Sequence, residues 1–117
     1  MTFLESLKAT LCDDEGVRTR IYCDHLGNRT VGVGHLITDD DPEAGLPIGF
    51  QVTDERVEEL FDRDIKTCLS DCRSVHPNFD RLPDEAKVVL ASMSYQLGLN
   101  GFSGFRRFHA AVKNQDW

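Results

Sequence analysis

The sequence predicts an α+β fold, in the order helix, small sheet, long helix and helical cluster. Residues 3 to 14 and 53 to about 73 repeat apolar side chains at the three-to-four-residue spacing of a helix. Between them, Thr19 to Cys23 and Arg29 to Val33 read as two strands around a His25-Leu26-Gly27-Asn28 turn. Beyond Leu82 the helical spacing returns.

Taken in order, Thr2 and Glu5 form a capping box, and Phe3, Leu4, Leu7 and Leu11 give the first helix one apolar face. Gly16 suits its exit. In the hairpin, Ile21 and Tyr22 favour a strand, and Gly27 can take the positive φ of the turn. Gly32 and Gly34 permit close backbone approach to a ligand. Segment 39 to 51, DDDPEAGLPIGFQ, reads as a solvated loop. Its Asp39-Asp40-Asp41 run is followed by Pro42 and lacks calcium-loop spacing, so no metal is expected there.

Thr53 caps the long helix, whose buried face is expected to be Val57, Leu60, Phe61, Ile65, Cys68 and Cys72. Pro83 in a first turn opens the next helix, and Ala86, Val89, Leu90, Met93 and Leu97 follow at helical spacing. Gly98 suits its stop, Asn100-Gly101 reads as a turn, and a last helix begins near Gly104 with Phe105, Phe108, Ala111, Val112 and Trp117 apolar. Helix 83 to 97 is apolar on several sides and the last segment adds more. Self-association, or a second chain completing this lobe, is therefore expected.

Glu15 and Asp24 stand nine positions apart, with Thr30 six further on. The first carboxylate ends a helix and the second lies on a hairpin, so they can face each other across a cleft. Glycosidic hydrolysis needs such a pair, one acid to protonate the leaving oxygen and one carboxylate for water or the developing cation. Separate elements allow the two pKa values to differ. Negative charge at a helix C-terminus is disfavoured, which would raise the pKa of Glu15. Taken alone, Asp24 is ordinary turn chemistry and Thr30 a good β former.

The fixed letters Glu15, Gly16, Tyr22, Asp24, Gly27, Thr30, Gly32, Gly34 and His35 form a pattern that resembles the bacteriophage lysozymes of the T-even type, glycoside hydrolase family 24. Segments 52 to 65 (VTDERVEELFDRDI) and 92 to 105 (SMSYQLGLNGFSGF) extend the resemblance over nearly the whole chain. It implies a lysozyme-like fold with a small lobe of about 14 to 60, a bridging helix of about 54 to 73, and a helical lobe of about 1 to 13 and 74 to 117. Family members continue past the equivalent of Trp117, so the helical lobe is expected to be truncated.

The resemblance also implies hydrolysis of the β-1,4 bond between N-acetylmuramic acid and N-acetylglucosamine in peptidoglycan. Glu15 would be the acid, Asp24 would act on the opposite face, and Thr30 would position water. Leu36, Tyr95 and Gln96 are implied as substrate-binding residues, while Phe108 stands where the best-known members carry a polar residue. His35 and Asp64 are implied as a structural ion pair rather than as chemistry. The alternative is a non-catalytic or split fragment that binds wall or needs a partner chain.

No metal or organic cofactor is implied, and neither nucleic acid nor stable membrane insertion is expected. No run approaches the roughly eighteen apolar residues of a membrane span. The N-terminus lacks the basic start and continuous apolar core of an export signal. The expected place is the host cytoplasm, until another protein opens the membrane. A net charge of −7 opposes approach to an anionic wall at low salt. The cysteines at 12, 23, 68 and 72 have no zinc spacing, and free thiols are expected. A Cys23 nucleophile would need a base, for which His25 stands two residues away at the spacing of one strand face, and a third orienting group, and it is set aside in favour of the carboxylate pair.

Overall fold

A computed structural model describes residues 1 to 114. It contains helices α1 (Phe3–Glu15), α2 (Asp54–Val75), α3 (Asp84–Ser103) and α4 (Arg106–Lys113), and strands β1 (Arg18–Cys23), β2 (Arg29–Gly32) and β3 (His35–Leu36). Single 3-10 turns occupy Pro42–Gly45 and Phe79–Arg81. The chain divides into two compact units, Leu11–Asp64 and Met1–Thr10 with the chain from Ile65 onward.

In the first unit the sheet is antiparallel in the order β1-β2-β3. Tyr22 faces Thr30 and Cys23 faces Arg29, whereas Arg18 faces Gly32, so β1 bulges between Arg18 and Tyr22. The bulged residues bond to a different partner. Ile21 N–H donates to Phe50 O, and the N–H groups of Gly49 and Val52 donate to Ile21 O and Thr19 O. Segment 49 to 52 thereby straps the outer side of β1, with Arg20 opposite Gln51. Ile21, Val31, Val52, Val57 and Leu60 form the core, with Ile37 and Leu46 against it.

Local signals in the sequence account for most boundaries. Thr2 Oγ1 accepts the Glu5 N–H at 3.1 Å and bonds the Glu5 carboxylate at 3.0 Å. Gly16 leaves α1 at φ +74°, its N–H on Cys12 O. Thr53 Oγ1 accepts the Arg56 N–H at 3.1 Å. The expected α2 face, Val57 to Cys72, is buried throughout. All four cysteines carry free thiols.

Three expectations change. A third strand, β3, follows β2, too short to register as a pattern. Segment 39 to 51 is not wholly solvated, because Asp41 and Glu43 are buried at the 3-10 turn. Asn100 and Gly101 are helical rather than a turn. Gly98 (φ 71°, ψ 173°) breaks α3, and the chain resumes helical geometry after it.

In the second unit, Phe79 and Phe102 are fully buried, and Phe3 meets Phe79 edge-on at 6.2 Å. Arg73 forks onto Asp80, and Ser94 Oγ donates to Cys68 O. Two buried histidines join the chain after α2 to α4. His76 Nε2 lies 2.7 Å from His109 Nδ1, and His109 Nε2 lies 2.6 Å from Phe102 O. Phe108 and Val112 line a groove of about 300 Å³ with Pro83, Glu85, Ala86, Val89 and Leu90. Trp117 lies outside the described residues.

Candidate active site

Glu15, Asp24, Thr30, His35, Leu36 and Asp64 all belong to the unit Leu11–Asp64. Tyr95, half-buried, and Gln96, exposed, lie on α3 in the other unit. The carboxylates thus share one unit with the hydroxyl and the histidine, and the two α3 residues are not part of it.

Glu15 is the last residue of α1, half-buried, with its carboxylate over Gly34. Gly34 adopts φ +65°, and a Cβ there would lie 2.7 Å from Glu15 Oε2. Only glycine satisfies both conditions. The close approach expected of Gly34 is therefore to the candidate acid rather than to a ligand, while Gly32 faces Val57. Among the described residues no donor or cation pairs with the Glu15 carboxylate. Burial raises its pKa, and the Asp14 charge adds to that. The direction is the expected one, but desolvation rather than the helix end is the leading cause.

Asp24 is held differently. Its Oδ1 accepts the N–H groups of Leu26 at 2.9 Å and Asn28 at 2.8 Å, closing the hairpin turn. Oδ2 has a single weak contact, Asn28 Nδ2 at 3.4 Å. The backbone hydrogen bond from Asn28 leads in holding its pKa below the ordinary carboxylate value, outweighing slight desolvation. The turn role and an ionised second oxygen therefore coexist in one side chain. The two carboxylates are pushed in opposite directions, as an acid and an anionic partner require.

Thr30 is buried on β2 between Tyr22 and Leu36, and its hydroxyl donates to Asn28 O at 3.0 Å. With its proton committed, Oγ1 offers lone pairs and can accept a hydrogen from water. Leu36, half-exposed beside it on β3, presents an apolar surface.

His35 Nδ1 lies 2.7 Å from Asp64 Oδ2, as the expected pair requires. The sequence did not suggest its second partner, Asp41 Oδ2, at 2.8 Å from Nε2. Burial would lower the His35 pKa, but the hydrogen bonds that the ring donates to the two carboxylates outweigh it and raise the value. With a carboxylate on each nitrogen, both can be donors only when the ring is protonated, so the geometry favours the imidazolium. Asp41 was hidden in an acidic run that reads as solvent-facing. Only the Pro42 after it, which opens the 3-10 turn, marks it out. Among the described residues no group of three or more His, Cys, Asp or Glu side chains could hold a metal. No helix among them is long and apolar enough to cross a membrane.

Residues 13–116 match the family model described as phage lysozyme. Among curated relatives, "Probable T4-type lysozyme 2" of Dictyostelium discoideum is 26% identical, over 97% of this chain and 78% of that protein. "Probable T4-type lysozyme 1" of the same organism is also 26% identical, with the same coverage. "Pre-baseplate central spike protein Gp5" of Enterobacteria phage T4 is 27% identical over 96% of this chain, which spans only 23% of that protein.

Proposed function

The chain belongs to the phage lysozyme family, at that level a lysozyme-type peptidoglycan hydrolase, and on that premise we propose that it cleaves the β-1,4 bond between N-acetylmuramic acid and N-acetylglucosamine. The observation that carries this reading is the opposed environment of the two carboxylates, Glu15 desolvated and Asp24 held by backbone N–H groups.

Glu15 keeps its proton to higher pH and gives it to the leaving glycosidic oxygen. Asp24, ionised, acts on the opposite face of the sugar through Oδ2, by activating water or by stabilising the oxocarbenium-like transition state. Thr30 Oγ1 accepts a hydrogen from that water and aims it. Leu36 contacts the sugar chain, and the resemblance assigns Tyr95 and Gln96 to substrate binding as well. The protein serves host lysis, waiting in the host cytoplasm until the membrane is breached.

Glu15→Gln keeps the shape of the side chain and removes the transferable proton. It should lower the rate of purified-wall hydrolysis by about a hundred- to ten-thousandfold, with the circular dichroism spectrum unchanged. More than a tenth of wild-type activity in that variant would sink the assignment. Reduction of the new sugar ends, followed by mass analysis, reads which bond was cut.

A second reading is favoured by the groove at Val89, Leu90, Phe108 and Val112, whose wall includes the half-exposed Val89. Here the chain works as part of an assembly, with a second copy or another chain covering that surface. Sedimentation of the isolated chain separates the readings, since a monomer with full lytic activity rules out the assembly.

A further inference from the structure

A structural ion pair on His35 needs one carboxylate, and Asp64 supplies it. Asp41 is a second, and its side chain is only 3% exposed. Burying a carboxylate is costly unless it is well bonded, so a redundant one requires a reason. Asp41 is well bonded. Its Oδ2 accepts both His35 Nε2 at 2.8 Å and the Thr38 N–H at 3.0 Å, while the Arg63 guanidinium stands 3.8 Å from Oδ1.

The platform beneath Asp41 is fixed from two sides. Arg29 on β2 donates to Ala44 O at 2.6 Å. Arg56 on α2 forks onto the buried Glu43 carboxylate, donating through Nε and Nη2 at 2.9 Å each. A bidentate pair of this kind fixes direction as well as distance. The 3-10 turn Pro42–Gly45 is thus fastened to a strand and a helix, and Asp41 sits at its head.

The object being held is the residue after Gly34. β3 is two residues long, so little ladder pairing fixes the backbone at Gly34, while the Glu15 carboxylate lies directly against it. One hydrogen bond on an imidazole leaves the ring free to pivot about that bond. Two bonds on non-equivalent nitrogens fix its plane and its rotation, and with them the backbone that carries it. We infer that Asp41 is a positioning residue, which grips the second nitrogen of His35 so that Gly34 stays seated under the Glu15 carboxylate.

The inference rests on the reading of Glu15 as the acid, and its test keeps the two separable. The Glu15 carboxyl is titrated by carbon NMR in the wild type, in Asp41→Asn and in Asp41→Glu, alongside pH profiles of wall hydrolysis. Asp41→Asn removes the charge, whereas Asp41→Glu keeps the charge and displaces the grip. Loosened packing admits water to Glu15, so both variants should move its titration downward by about half a unit or more. The alkaline limb of the activity profile should follow, with kcat falling about tenfold and KM little changed.

A Glu15 titration unmoved in a folded variant overturns the inference and leaves Asp41 as a cap. A shift in Asp41→Asn with none in Asp41→Glu also overturns it, because the influence would then be one of charge alone. If Asp41→Asn does not fold, Asp41→Glu carries the test. Failure of Glu15 as the acid is read separately from Glu15→Gln, and the NMR titration stands whether or not the enzyme is active.

Discussion

At the scale of single residues, His35 shows how a charge is kept in a half-dry place. Its folded pKa is raised, so the stability it contributes is complete below the unfolded value of about 6.5 and is lost as pH rises through the folded value. Asp41 behaves oppositely. Desolvation pushes its pKa up, but the Thr38 N–H and His35 hold it down, and its contribution is lost as pH falls through that depressed value. The clamp is therefore strongest at mildly acidic pH. Asp64→Asn should lower unfolding free energy by roughly 2 kcal/mol near pH 5.5 and by less near pH 9, because the contribution of the charged ring is lost as pH rises through its raised value. Urea denaturation at the two pH values reads this, and equal losses would mean that the charge on His35 plays no part. The His35–Asp64 pair was legible through family resemblance. Asp41 was not, because three aspartates in a row look alike until the chain fold turns one of them inward.

At the scale of elements, α2 was legible in full because a two-sided helix writes its burial at fixed spacing. Val57, Leu60, Phe61, Ile65, Cys68 and Cys72 are all buried. Gly98 was also legible, since φ 71° with ψ 173° is open to almost no other residue. The helical return after it was not, because nothing in Leu99-Asn100-Gly101 favours a helix over a turn. The histidine bridge between the end of α2 and α4 is likewise non-local, and 33 positions separate its members. In it, His109 Nε2 donates to Phe102 O and His76 Nε2 donates to His109 Nδ1, which leaves His76 Nδ1 buried without a partner. Burial above all, with the nearby His109 and Lys113, depresses the His76 pKa to about 4. A depressed value means that the unfolded chain takes up the proton first. The stability is present above about pH 6.5 and drains away as pH falls toward 4. His76→Gln should consequently flatten the acid side of the stability curve, sparing roughly 2 kcal/mol of the wild-type loss between pH 7 and 4.5. Parallel curves for the two proteins would place the acid sensitivity elsewhere.

At the scale of the whole molecule, the net charge of −7 acts before any contact is made. An anionic wall repels such a protein over a screening length of roughly 30 Å at 0.01 M salt and 8 Å at 0.15 M. The initial rate of wall lysis should accordingly rise several-fold between those concentrations. Turbidity assays at constant pH check this, and a rate that falls with added salt would point to a cationic docking surface instead. Salt that relieves repulsion from the wall also relieves repulsion between copies, so charge does less to keep a crowded sample dispersed as salt rises. The strap at residues 49 to 52 bears on that. It occupies the side of β1 that β2 leaves open, and β3 on the far side runs for only two residues. A strand arriving from a neighbouring molecule would find β1 already taken and β3 too brief to template a ladder, so the sheet is poorly suited to seeding fibres.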